Sequence, residues 1–152
     1  MEGMRLATFF CLDSTYRVSL AALFLSGARV DAQKRVLLEV CPRVLVLHIN
    51  RTAWQLGMHK IHTHVNFPFD LSLGPFCAHD ATSEVASVYT LRSVVAHHGN
   101  QMSGGHFTAF GRASVGDTDA WLHFNDARVT EVTRTEVAGA QAYILLYERQ
   151  CS

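Results

Sequence analysis

With 152 residues, 49% hydrophobic and 17% charged, the chain is long enough for one domain with a buried core and too apolar for wholesale disorder. Lys plus Arg balances Asp plus Glu at 13 each, which leaves no basic stripe and argues against a nucleic-acid partner. The longest apolar run, Val18 to Leu25, is too short to cross a bilayer, so no membrane segment is expected within the chain.

Four cysteines, Cys11, Cys41, Cys77 and Cys151, are widely spaced and form no C-x-x-C pair. Such spacing fits neither a disulfide framework nor a complete zinc site, so reduced thiols in a cytosolic or nuclear setting are expected. Residues 1–33 are left unassigned. They hold two apolar patches, Leu6 to Leu12 and Val18 to Leu25, the second expected to be a helix ending near Gly27. Arg17, that patch and Ser26-Gly27-Ala28 loosely imitate a signal peptide, but Glu2 and Asp13 would fall in its basic region.

From Lys34 onward the pattern turns to strands. Arg35 to Cys41 and Arg43 to Asn50 are β-branched and apolar, interrupted by Pro42. Val44-Leu45-Val46-Leu47 does not alternate, as expected of a strand covered on both faces. His62 to Phe69 alternates weakly, and Gly74 to Ser83 is turn-rich. Strands are then expected at Ser87 to His97, His106 to Arg112, Trp121 to Asn125, Arg128 to Val132 and Ala142 to Arg149, with a short helix between Thr135 and Gly139. Close spacing and tight connections make this an antiparallel meander.

Three features converge in the last 60 residues, one of them Ala142-Tyr143-Ile144-Leu145-Leu146-Tyr147, an aromatic-bracketed apolar strand expected to close the sheet. Gly104-Gly105-His106-Phe107 places a histidine at a strand start after a glycine loop, exposed and able to act as a base near neutral pH. Trp121-Leu122-His123-Phe124-Asn125-Asp126 ends a strand on an amide and a carboxylate. An adjacent antiparallel strand brings Asn125 beside His106, where a side-chain oxygen fixes the ring tautomer and frees the other nitrogen for a thiol proton.

These motifs resemble the ubiquitin-specific proteases. The resemblance rests on Tyr89 to Gly99, then Gly104-Gly105-His106-Phe107, then Trp121 to Asp126, then Ala142-Tyr143-Ile144-Leu145-Leu146-Tyr147. Upstream, Cys41-Pro42-Arg43-Val44-Leu45-Val46-Leu47-His48-Ile49-Asn50-Arg51 is similar to a strand motif of that family. The resemblance implies an α+β, papain-like cysteine protease fold. Residues 34–150 would be the C-terminal part of its catalytic domain, mainly the antiparallel β half, with the nucleophile-bearing helical half missing.

The implied activity is hydrolysis of the isopeptide bond after ubiquitin's C-terminal glycine. By correspondence His106 is the catalytic histidine, Asn125 its orienting residue and Asp126 a neighbouring acid. The loop from Asn100 to Gly105 corresponds to the one over the ubiquitin tail, and Gly104, Gly105 and Phe107 are the implied substrate-binding residues. Ubiquitin and ubiquitinated proteins are the implied partners, and no cofactor or metal is implied. His97-His98, Phe107 and Leu47 to Arg51 resemble most the branch anchored to the mitochondrial outer membrane and facing the cytosol, whose anchor would lie outside this chain.

No Gly-Asn-Thr-Cys-like box is present, and Cys11 between apolar neighbours promises neither access nor a lowered pKa. This chain alone is therefore expected to be inactive. Two other readings stand beside the enzyme: a ubiquitin-binding module without catalysis, and a structural β domain. His62, His64, Cys77 and His79 are spaced too irregularly for zinc, and surface histidines are expected. Adjacent His97 and His98 point to opposite faces of a strand. Trp121, Phe124, Tyr143 and Tyr147 are expected to pack, the tyrosine hydroxyls reaching the surface. His123 is expected to be structural or solvent-facing.

Overall fold

The structure is a computed structural model that describes residues 7–11, 18–19, 37–38, 40–53, 59–77, 88–100, 104–115 and 118–150. Its early strands are β1 (Ala7–Cys11), β2 (Val18–Ser19), β3 (Leu37–Leu38), β4 (Val44–Ile49), β5 (Thr52–Ala53), β6 (His59–Lys60) and β7 (Asp70–Ser72). A turn of 3-10 helix covers Gly74–Phe76. The second half holds β8 (Val88–His98), β9 (His106–Val115), β10 (Thr118–Asn125), β11 (Arg128–Val132), helix α1 (Arg134–Ala138) and β12 (Ala142–Arg149).

Among the described residues the main sheet runs β1-β4-β12-β8-β9-β10-β11, with β7 paired to the start of β8. Every pairing within it is antiparallel. β8 to β11 follow one another as the strand spacing predicts, but Ala142–Arg149, expected to continue that meander after β11, does not pair with β11. The chain then turns through α1 and returns as β12 between β8 and β4.

Local chemistry explains that return. Thr133 and Glu136 form a reciprocal capping box at the start of α1, satisfying two otherwise orphaned backbone N–H groups. Val137 is fully buried, so one face of this short helix pins it to the sheet. β4 lies between β1 and β12, and none of its residues is exposed, as its unalternating apolar run suggests. Pro42 cannot donate to a ladder and sits just before β4, its carbonyl accepting the Tyr89 hydroxyl.

The core joins Leu45, Leu91, Val94, Phe110, Leu145 and Tyr147, among others. Each Leu or Val so buried stabilises the fold by about 1.5–3 kcal/mol. Two irregularities keep the apolar residues on one face. Between Leu91 and Ser93 the pairing with β12 skips Arg92, and between Ala142 and Ile144 it skips Tyr143. Each extra residue inverts the alternation, so Leu91 and Val94 share a face, as do Ala142 and Leu145.

Some sequence expectations require correction. Val18–Ser19 pair with Leu37–Leu38 as strands, not as the start of a helix, and residues 20–27 of the expected helix lie outside the described residues. Of Arg35 to Cys41, the described residues include the short β3. His62 to Phe69 is in no strand. Phe124 is 40% exposed, because Trp121, three residues earlier on the same strand, faces the core and takes Phe124 to the opposite face. The Tyr147 hydroxyl does not reach the surface but donates to the Pro68 carbonyl at 2.7 Å.

Candidate active site

His98, the last residue of β8, lies opposite His106, the first residue of β9. Asn125 is the last residue of β10, one step beyond the Phe124–Ala109 pair. The glycine loop, His106 and Asn125 therefore gather at one end of the sheet. Residues 106, 108 and 125 share a face by strand alternation, so the β9–β10 register makes His106 and Asn125 diagonal neighbours at the open end of the hairpin.

The side chains meet. His106 Nε2 lies 2.7 Å from Asn125 Oδ1, and because that oxygen can only accept, Nε2 carries the hydrogen and donates. Nδ1 is then the nitrogen with a free lone pair. Asp126 Oδ2 is 3.9 Å from the same Nε2. Asp126 holds φ 50 in the two-residue turn between β10 and β11, a conformation that aspartate tolerates better than most residues. The His106 and Asp126 side chains are 45% and 81% exposed, open to a reacting partner.

Gly104, Gly105 and Phe107 flank His106 and are all exposed. Gly105 is constrained: a Cβ there would lie 2.3 Å from the His98 carbonyl oxygen and 2.4 Å from His97 Nε2. His97 is buried against the loop, its ring 4.6 Å from that of Phe107, whereas His98 is exposed and reaches Thr108 Oγ1 at 2.8 Å. The twin histidines thus point oppositely, as alternation requires. Burial first, then the nearby Lys60 cation and His98, push the His97 pKa down, which keeps its ring neutral.

The described cysteines lie elsewhere. Cys11 registers with Leu45, which registers with Tyr147 and so with Leu91. From Leu91 to His98 is roughly 20 Å along the strand at about 3.3 Å per residue. Cys41 is at the same far end, its carbonyl accepting from Arg149. Although distant in sequence, the Cys41 and Cys77 sulfurs approach to 3.2 Å as free thiols. Burial, followed by the hydrogen bond and charge of Cys41, pushes the Cys77 thiol up to about 11, an unreactive environment. Among the described residues no cluster of three or more His, Cys, Asp or Glu could hold a metal. His62 and His64 are exposed, while His79 and Cys151 lie outside the described residues. No helix among the described residues is long and apolar enough to cross a membrane.

Two buried cations lie near the site, Arg51 from the upstream strand motif and Lys60, which the sequence reading did not single out. Arg51, 2% exposed, donates through Nε to Ala142 O at 2.8 Å and through Nη1 to Ile61 O and Thr63 O at 3.0 and 2.9 Å. Lys60, 8% exposed, donates to His97 O and Gly99 O. Lysine is almost never fully buried without a partner, so burial of this one has no local sequence signal.

An imidazole oriented by an amide at the end of an antiparallel sheet is the arrangement of a papain-like cysteine hydrolase. The chain belongs to the ubiquitin carboxyl-terminal hydrolase family, whose sequence model matches residues 4–147. That match takes in part of the segment left unassigned from sequence.

Ubiquitin carboxyl-terminal hydrolase 44-A of Xenopus laevis is 39% identical over 124 residues, covering 78% of this chain and 18% of that protein. Ubiquitin carboxyl-terminal hydrolase 44 of Danio rerio is 34% identical over 155 residues, covering 99% of this chain and 21% of that protein. The chain thus spans about a fifth of the length of these relatives. Among solved structures, the SAGA Ubp8/Sgf11/Sus1/Sgf73 DUB module bound to ubiquitin aldehyde aligns with TM-score 0.70 and 27% identity, covering 93% of this chain and 33% of that one. The Ubp8-Sgf11-Sgf73-Sus1 SAGA DUB module aligns with TM-score 0.68 and 29% identity, covering 93% and 30%.

Proposed function

We propose that this chain is the histidine-bearing part of a thiol-dependent deubiquitinase, acting on the isopeptide bond after ubiquitin's C-terminal glycine. The observation that carries the reading is the 2.7 Å hydrogen bond from His106 Nε2 to Asn125 Oδ1, which leaves Nδ1 free for a thiol. The cysteine comes from the nucleophile-bearing half of the catalytic domain, outside this chain. Its thiolate sulfur attacks the glycine carbonyl carbon, and the C–N bond breaks as His106 protonates the leaving lysine amine. The neutral ring then takes a proton from water, the hydroxide oxygen bonds to the acyl carbon, and the thiolate departs.

Asn125 holds the ring plane, and Asp126 adds negative charge beside it in the imidazolium state. Gly104, Gly105 and Phe107 are assigned to the wall over the ubiquitin tail, on the basis of their exposure beside His106. Ubiquitin and its conjugates are the proposed partners. Residues 34–150 are proposed as the C-terminal part of the catalytic domain, in a cytoplasmic protein. A narrower position, on the cytosolic face of the mitochondrial outer membrane, rests on His97-His98, Phe107 and Leu47 to Arg51 alone.

The test is a pair of substitutions in the full-length protein. Asn125→Ala, which frees the ring to rotate, is expected to lower turnover of a ubiquitin conjugate by about tenfold to a hundredfold. Asn125→Asp is expected to stay within about tenfold of the parent, because a carboxylate accepts the same N–H and stabilises the imidazolium. Ubiquitin affinity, measured separately, should be unchanged in both. Equal turnover in Asn125→Ala and the parent would remove Asn125 from the site.

A further inference from the structure

Lys60 ends β6, and its ammonium meets the backbone where β8 gives way to the loop before His106. Its Nζ donates to the His97 carbonyl at 2.8 Å and to the Gly99 carbonyl at 2.7 Å. These carbonyls flank His98, the residue opposite His106, at the point where β8 gives way to the loop. Both of its described partners are neutral carbonyls. An ammonium withdrawn from water in this way is costly, which sets it apart from a solvated surface lysine. Burial, then the Arg51 guanidinium, hold its pKa below the ordinary lysine value.

The loop itself is pinched. Gly99 has φ 117 and Gly105 has φ 154, and a Cβ on Gly99 would lie 3.1 Å from the Gly105 Cα. Its two ends therefore touch, and a shift of the Gly99 carbonyl passes directly to Gly105 and the next residue, His106. The His97 ring fills the space beside Gly105, so the same lysine that holds the His97 backbone also fixes that wedge.

We propose that Lys60 is a positioning residue for the chemistry at His106: by fixing the His97 and Gly99 carbonyls, it sets where the loop closes and how the His106 ring meets the nucleophile. The inference rests on the reading of His106 as the acid and base. It goes further in giving a buried cation, from a strand outside the main sheet, control over the ring's approach.

The experiment compares Lys60→Met and Lys60→Arg with the parent in the full-length enzyme, each well below its own melting temperature. Readouts are kcat and KM for a ubiquitin amide, plus the pH dependence of alkylation of the nucleophilic thiol by iodoacetamide. A misplaced ring is expected to lower kcat by about tenfold to a hundredfold in Lys60→Met. The low-pH edge of alkylation should move upward, because a thiolate without its imidazolium neighbour forms at higher pH. Lys60→Arg, which keeps charge and donors, should recover most of both.

A purely structural lysine would lower the melting temperature alone, so kcat within twofold of the parent in folded Lys60→Met, or an unmoved alkylation edge, overturns the proposal. Should Lys60→Met fail to fold, Lys60→Gln is measured against the same two criteria. His106→Ala separates the failures. If it is inactive while Lys60→Met is normal, only the positioning claim falls; if it turns over normally, the reading of the site falls first.

Discussion

His106→Ala is expected to lose turnover by about a thousandfold or more in the full-length enzyme, with ubiquitin affinity unchanged. The imidazole has two jobs, protonating the leaving amine and then deprotonating water, and no neighbour can take over both. Asn125 has no titratable proton. The Asp126 carboxylate, 3.9 Å from Nε2, lies on the ring edge turned away from Nδ1. His98 is opposite in the ladder, but its Nε2 is engaged by Thr108. Stability should barely move, within about 0.5 kcal/mol, because the half-exposed ring fills no cavity. Steady-state cleavage beside thermal melting checks both statements; near-normal turnover means that His106 is not the base.

Gly105→Ala is expected to damage both the loop and the chemistry. A methyl group there would meet the His98 carbonyl oxygen at 2.3 Å and His97 Nε2 at 2.4 Å, and the first is backbone that cannot swing aside. The φ of 154 adds strain for any side chain. The loop must then open, carrying His106 from its place beside Asn125. A loss of about 2–4 kcal/mol in stability and about a hundredfold in turnover is expected. Gly104→Ala is the control, since a Cβ there meets nothing within 4 Å, and its melting temperature should match the parent. If Gly105→Ala melts like Gly104→Ala and turns over like the parent, the close approach is not what shapes the loop.

Local patterns made much of this legible in the sequence. The strands of the meander follow one another with short connections, so register and alternation alone place Asn125 beside His106. The helix before β12, expected between Thr135 and Gly139, is found at Arg134–Ala138, and the capping-box spacing of Thr133 and Glu136 that starts it is a local signal that expectation did not use. What escaped depends on contacts distant in sequence or on broken alternation. The pairing of β1 with β4 joins residues 7–11 to 45–49, and no local pattern announces it. The irregularities at Arg92 and Tyr143 invert the facing of their strands without a glycine or proline to mark them. The approach of Cys41 to Cys77 is fixed only once β3 and the 3-10 turn are in place. Lys60 was invisible for a similar reason: its carbonyl partners lie 37 and 39 residues away.

The central claim is that His106 serves a cysteine that is none of the four in this chain. The most direct measurement treats the full-length protein with a ubiquitin carrying an electrophile at its C-terminus and maps the adduct by mass spectrometry. The site predicts a single adduct on a cysteine other than Cys11, Cys41, Cys77 and Cys151, formed much more slowly in His106→Ala. An adduct on Cys11 or Cys41, or none in a protein that still binds ubiquitin, would contradict it, the latter leaving a ubiquitin-binding module in place of an enzyme.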